Sequence, residues 1–222
     1  MEWYPLELSI KVACLSTLIS LVLGVAIAAL LAARRFPGRE LLDALLTAPM
    51  VLPPTVLGYY VLVMMGRNSA VGRFYSWLTD GGQIVFTVTG CVVAATIGGL
   101  PLVIKAARAA LEGVDPNYVR AARTLGASPL RAFITVRLPL AWPGILAGVM
   151  LAFAKALGDF GVTMMVAGDI PGHTQTASLF IYDAIQANRE AEAAGMIAVL
   201  SAVGIFILYG VNKLTRTRDE PR

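Results

Sequence analysis

The chain has 222 residues, 57% of them hydrophobic and only 14% charged, with a formal net charge of +4. Soluble domains carry about a quarter charged residues, so a soluble enzyme is excluded as a first reading. A nucleic-acid binder is excluded too, because it needs its positive charge gathered on one soluble face.

A helix needs roughly 20 predominantly apolar residues to cross a bilayer core. Such runs recur along the chain, too long and too rich in Ala and Leu to alternate as strands. The first, 12–33, is free of charge. Its flank carries Glu2 and Glu7 rather than a basic n-region, and its apolar run is too long, so it reads as a span and not as a signal peptide. The second, 44–66, is also uncharged but contains Pro53-Pro54. Two prolines remove two backbone donors and bend a helix, so this segment is either a packing kink or a hinge lining a pathway. The connection that follows holds Tyr75 and Trp77, which suit an interfacial aromatic anchor. A third uncharged run is 84–104.

The fourth run, 138–168, is interrupted only by Lys155 and Asp159. Four residues apart on one helix, they can face each other. Ionisable groups inside a span usually face a bundle interior or an aqueous cavity. Two readings stay open: a self-neutralising pair that fixes packing, or a lysine that lends positive potential to an anion path. Gly158 and Gly161 flank Asp159 and permit close helix approach. The next connection contains Pro171, Gly172 and His173, the single histidine, which reads as a turn residue. No second histidine or carboxylate pair gives it metal-ligand spacing. The last uncharged run is 193–211. The prediction is an all-α, polytopic membrane protein with spans at about 8–33, 44–66, 83–106, 138–168 and 193–213, and no second domain.

Orientation follows from the positive charges, which favour short cytoplasmic loops. Thirteen lysines and arginines lie in the 34–39 connection, the loop ending at Arg137 and the C-terminal tail. Three lie in the opposite set: Arg67, Arg73 and Arg189. The N-terminus is therefore predicted outside and the C-terminus inside.

The inner loop, 107–137, is strongly patterned. Asp115-Pro116 is an N-cap followed by proline at the first helical position. Tyr118, Ala121, Ala122 and Leu125 then form an apolar stripe at i, i+3, i+4 and i+7, with Arg120 and Arg123 off it. Gly126 stands where a left-handed residue would end the helix, followed by Ala127. Ser128-Pro129 repeats the start, and Leu130, Phe133 and Ile134 give a second stripe. The loop reads as two short helices hinged at a glycine. They either lie in the headgroup layer or dock against a protein, and small alanines with a specified turn favour docking.

Ala121-Ala122, three residues, Gly126, nine residues, then Val136-x-Leu138-Pro139 resembles the EAA loop of ABC-importer permeases. Arg120 stands where that family usually has glutamate, and Val136 replaces isoleucine. Phe36-Pro37-Gly38, Ala48 to Pro54, Leu111 to Asp115, Arg123 to Ala127, Leu157 to Gly161 and Ile170 to Thr176 resemble the molybdate permease family, with sulfate/thiosulfate permeases as near relatives. The resemblance implies a type I ABC-importer permease fold in the bacterial inner membrane and a homodimer of this chain. It also implies two cytoplasmic ATPase subunits that hydrolyse ATP with Mg, and a periplasmic molybdate-binding protein. The chain has no G-x-x-x-x-G-K-[ST], so no P-loop of its own is expected, nor any bound cofactor or catalytic residue. Coupling to the ATPase would fall on Asp115, Pro116, Tyr118, Arg120, Ala121, Ala122, Leu125, Gly126, Ala127, Leu138 and Pro139. The translocation path would include Pro53, Pro54, Lys155, Gly158, Asp159 and Gly161. The rival readings are a tungstate or sulfate permease, an ATPase-independent secondary transporter and a non-transporting membrane scaffold. The secondary transporter is disfavoured because five spans do not form two equal inverted halves.

Overall fold

A computed structural model describes residues 3–33 and 37–216. The expectations for Glu2, Arg34, Arg35, Phe36, Arg218 and Arg222 lie outside the described residues. Among the described residues the chain is helical with no strand. Among the described residues, four helical stretches are long and apolar enough to cross a membrane: Tyr4–Ala32, Val88–Glu112, Pro129–Leu157 and Glu190–Gly210. A fifth crossing is available only if the bent pair Arg39–Met50 and Pro54–Met65 counts as one span.

The helices are α1 (Tyr4–Ala33), α2 (Arg39–Thr47), α3 (Pro54–Met65), α4 (Ala70–Leu78), α5 (Val88–Glu112), α6 (Pro116–Thr124), α7 (Pro129–Ala132), α8 (Leu138–Leu157), α9 (Gly161–Ala167), α10 (Ala177–Gln186) and α11 (Glu190–Arg216). Helices α1, α5 and α8 form the centre, with α11 against α8 and α3 against α9. Small residues allow this packing. Ala13, Ala28, Ala94, Ala107, Ala141 and Ala152 are buried, and Gly148 lies so close to Ala106 that a Cβ there has no room. Between spans, where lipid is as apolar as the core, close backbone approach replaces the hydrophobic effect as the source of packing. Large apolar side chains instead point outward, among them Leu18 and Val22 on α1 and Ile205, Phe206 and Tyr209 on α11.

Two expected spans are not single helices. The segment 44–66 bends by 110° between the stretches on either side of residues 51–53. Pro53 is extended (ψ 138) and Pro54 occupies the first helical position of α3. Twelve residues of α3 rise only about 18 Å, short of the core thickness of about 30 Å. The segment 138–168 is likewise divided at 158–160, between α8 and α9.

Helix continues across 137/138, where the loop was expected to give way to a span. A π turn, Phe133–Arg137, joins α7 to α8, with Leu138 N–H donating to the Phe133 carbonyl. Pro139 has no N–H to give the preceding turn, and the wider π turn sits immediately before it. The second loop helix is therefore the foot of a helical stretch running from Pro129 to Leu157.

Candidate functional site

Local sequence builds the inner loop as expected. The Asp115 side chain caps α6 by accepting from Asn117 N–H at 2.8 Å, and Pro116 occupies the first turn. At the other end Gly126 adopts φ +89. Its N–H donates to the Arg123 carbonyl at 3.1 Å, and Ala127 N–H donates to the Ala122 carbonyl at 3.1 Å. These paired bonds satisfy carbonyls that the helix end would otherwise leave open. Ser128 Oγ then caps α7 by accepting from Arg131 N–H at 3.3 Å.

The stripe on α6 is left uncovered. No residue of α6 is buried; Tyr118 is 59% exposed and Leu125 89% exposed, while Ala121 is exposed and Ala122 half-buried. Arg120 and Arg123 lie on the other side of the helix, beside Arg137 and Glu112. Leu138 is half-buried and Pro139 exposed at the start of α8.

At the far end of α8, the breaks in the two divided segments meet. Gly161, the first residue of α9, lies against Pro54, the first of α3; a Cβ on Gly161 would stand 2.7 Å from Pro54 Cβ. Pro54 and Lys155 line a pocket of about 240 Å³ together with Pro49, Met50, Leu57, Gly98 and Val162. Pro53 is the cap residue just outside α3. Gly158 ends α8, is exposed, and would meet only the Ala154 carbonyl at 3.7 Å if given a Cβ. Close approach is therefore the reason for glycine at 161 and not at 158.

Lys155 Nζ lies 3.2 Å from Asp159 Oδ1, so the two side chains do pair. They are not equivalent. The Asp159 side chain is 3% exposed and that of Lys155 45% exposed. Asp159 Oδ2 accepts from Thr163 N–H at 3.0 Å and from Thr163 Oγ1 at 2.7 Å, capping α9 from outside. Its carbonyl accepts from Ser178 Oγ at 2.8 Å, joining the break to α10. A self-neutralising pair is thus an incomplete description. Asp159 is a buried cap held by Thr163 and Ser178, while Lys155 reaches the pocket with a half-exposed ammonium.

Sequence reasoning missed Thr163, although its position four residues after Asp159 was a usable signal. It also missed an ionic network between α2 and the inner end of α5. Asp43 Oδ2 lies 2.9 Å from Lys105 Nζ and 3.0 Å from Arg108 Nη1. Glu112 Oε1 lies 2.8 Å from Arg39 Nη2 and 3.0 Å from Arg108 Nε. Elsewhere, Tyr4 O–H donates to the His173 carbonyl at 3.0 Å, so His173 contributes its backbone to that turn.

Comparison with known proteins adds an independent line. Residues 20–218 match the family described as binding-protein-dependent transport system inner membrane component. The molybdenum transport system permease protein ModB of Escherichia coli (strain K12) is 45% identical, covering 98% of this chain and 96% of that protein. ModB of Haemophilus influenzae is 41% identical over 91% of this chain and 88% of its own. The sulfate transport system permease protein CysT of Salmonella typhimurium is 33% identical over 94% and 74%. Among solved structures, an inward-facing MetNI methionine ABC transporter chain superposes with a TM-score of 0.72 at 16% identity, covering 99% of this chain and 100% of that one. A bacterial ABC transporter that imports alginate gives 0.68 at 16% identity, covering 98% and 79%. At such identities these two matches establish the fold.

Proposed function

The chain belongs to the family of binding-protein-dependent transport system inner membrane components, a multi-pass membrane protein with the fold of ABC-importer permeases, and from that premise we propose that it is the permease subunit of an ATP-driven molybdate importer. The observation that carries the coupling role is α6: capped at both ends, without a buried residue, and presenting Tyr118, Ala121 and Leu125 to the outside. A helix that rigid and that bare suits a groove on another protein. Identity of 41–45% to two ModB proteins over nearly the whole chain supports molybdate as the substrate.

The working unit is a pair of these chains in the bacterial inner membrane, N-terminus outside. Two ATPase subunits sit below and a periplasmic molybdate-binding protein above. ATP and Mg belong to the ATPase. Closure of the ATPase pair displaces the coupling residues Asp115 to Ala127. The helical stretch Pro129–Leu157, about 43 Å long at 1.5 Å per residue, carries that displacement through Leu138 and Pro139 to the broken segment at 158–160. There Gly161 bears on Pro54, so movement of α9 moves the elbow before α3. Lys155 places a positive charge beside the path of a dianion, while Asp159, occupied by Thr163, keeps the break in register.

The test is the complex reconstituted in vesicles with its ATPase and binding protein, with ATP hydrolysis titrated against molybdate, tungstate and sulfate. The expected result is vanadate-sensitive uptake with half-maximal stimulation at the lowest concentration for molybdate. Stimulation by sulfate or tungstate at far lower concentration would replace the substrate. Uptake without the ATPase would overturn the ATP-driven reading in favour of a secondary anion transporter.

A further inference from the structure

Helix α6 has two faces of opposite character. At about 100° per residue, Tyr118, Ala121 and Leu125 fall on one side, and Pro116, Val119, Arg120 and Arg123 on the other. The second side turns toward the inner end of α5. There Arg120, Arg123, Arg137, Glu112, Val114 and Val119 surround an open pocket of about 370 Å³. Three guanidinium groups and one carboxylate line it, and that carboxylate is already engaged. Glu112 Oε1 takes ion pairs from Arg39 at 2.8 Å and from Arg108 at 3.0 Å. Arg137 is held in place by its Nε donating to the Leu111 carbonyl at 3.1 Å. Arg120 and Arg123 form no ion pair among the described residues.

An uncompensated cluster of like charges beside a partly apolar wall favours the entry of an anion, and a guanidinium fork matches a carboxylate in bidentate geometry. The geometry points to a charge-complementary contact in which an Asp or Glu side chain of the ATPase subunit enters this pocket and pairs with Arg120 and Arg123. The contact rests on the permease reading above and specifies its chemistry at α6. A flat anionic membrane fits less well. A helix in the headgroup layer turns its apolar stripe to the bilayer, whereas here the stripe faces away from the pocket and from the spans behind it. A cleft in a protein can take the stripe on one wall and meet the arginines on the other.

The complex of this chain with its ATPase, purified through a tag on this chain, tests the contact in two ways. The variant R120K keeps the charge and supplies an amine, so a zero-length carbodiimide should form an amide between position 120 and an ATPase carboxylate, identified by mass spectrometry. The double variant R120E/R123E should retain about ten-fold less ATPase at physiological salt, and converting the cross-linked ATPase carboxylate to lysine should restore retention. Positions 120 and 123 are exposed, so the double variant should melt with the parent; if it does not, the R120K cross-link decides alone. A cross-link only to Glu112, or equal ATPase retention by R120E/R123E, overturns the contact while leaving the permease reading intact. Loss of co-purifying anionic lipid from R120E/R123E, with ATPase retention unchanged, assigns the arginines to anionic lipid instead. Failure of the unmodified chain to retain any ATPase overturns the permease reading itself.

Discussion

Replacing Gly161 with alanine adds a single methyl at the point where the two broken segments touch. Built on the existing backbone, that Cβ stands 2.7 Å from Pro54 Cβ, 3.6 Å from the Pro54 carbonyl carbon and 3.7 Å from its Cα. Carbon atoms rest at about 3.5–4.0 Å, so only the first contact is forbidden, by nearly 1 Å. The neighbour cannot swing aside, because Pro54 is a ring fixed at the start of α3, and α9 is pinned by the bonds from Thr163 to Asp159. The backbone must separate instead, and overpacking of this kind costs about 1–3 kcal/mol. Gly158→Ala is the matched control: its Cβ meets only a carbonyl at 3.7 Å in an ordinary conformation, so its effect should stay within about 0.5 kcal/mol. Thermal unfolding of the detergent-solubilised protein, followed by size-exclusion fluorescence, should place G161A well below both the parent and G158A. Adding Pro54→Gly, which removes the opposing Cβ, should return part of the loss as a coupling between the two sites. Equal melting of G161A and G158A, or no coupling to Pro54, would refute the reasoning.

Gly126→Val should cost about 1–2 kcal/mol at the loop, because φ +89 is unfavourable for a branched side chain while the added Cβ touches nothing; hydrogen exchange of α6 and ATPase co-purification should both worsen, and Gly126→Asn should worsen them less. Lys155→Met should lower melting, because it leaves the buried Asp159 carboxylate without its counter-charge, and should reduce anion uptake per folded complex in the assembled transporter; unchanged uptake removes Lys155 from the path. Asp159→Ala should destabilise by about 3–5 kcal/mol in the same melting assay, because it strips three donors of their buried acceptor. Asp169→Asn should stabilise the protein at neutral pH. Burial raises the Asp169 carboxyl above 3.8, and a Gln175 hydrogen bond only partly opposes this, so the stability held by the protonated form is lost as pH rises through the raised value. Melting curves of D169N and parent should converge toward pH 4 and separate above it.

The number of apolar segments, the capped loop and its glycine turn were legible in the sequence because each depends on neighbours within a few residues. Charge-free runs about 20 residues long identify candidate spans wherever they sit in three dimensions. Asp115, Pro116 and Gly126 do their work within one helical turn of themselves, so the caps of α6 could be read directly. The Lys155–Asp159 pair was legible from a spacing of four residues, although Asp159 lies in the break just beyond α8 and not on the helix. Local reading failed where distant segments meet or where one local rule overrides another. The direct helical run from Pro129 to Leu157 hides behind a sequence that looks like a short helix followed by a span, because a π turn ahead of Pro139 keeps the helix going. The double proline announced a break, but not a bend of 110°, nor α2 tied to α5 by Asp43 and Glu112.

That Pro54 meets Gly161, that Lys155 opens into the same pocket as Pro54, and that Asp159 is claimed by Thr163 and Ser178 are decisions of the tertiary structure. So is the exposure of Tyr118 and Leu125: an apolar stripe on a helical wheel does not say whether the chain folds back to cover it. The sequence by itself determined which segments are apolar enough to cross a bilayer and where α6 starts and stops, because hydrophobic transfer and capping act over a few residues. Only the packing of α3, α5, α8 and α9 decided which breaks face each other and which charges remain unpaired, because those contacts join residues that local chemistry cannot connect.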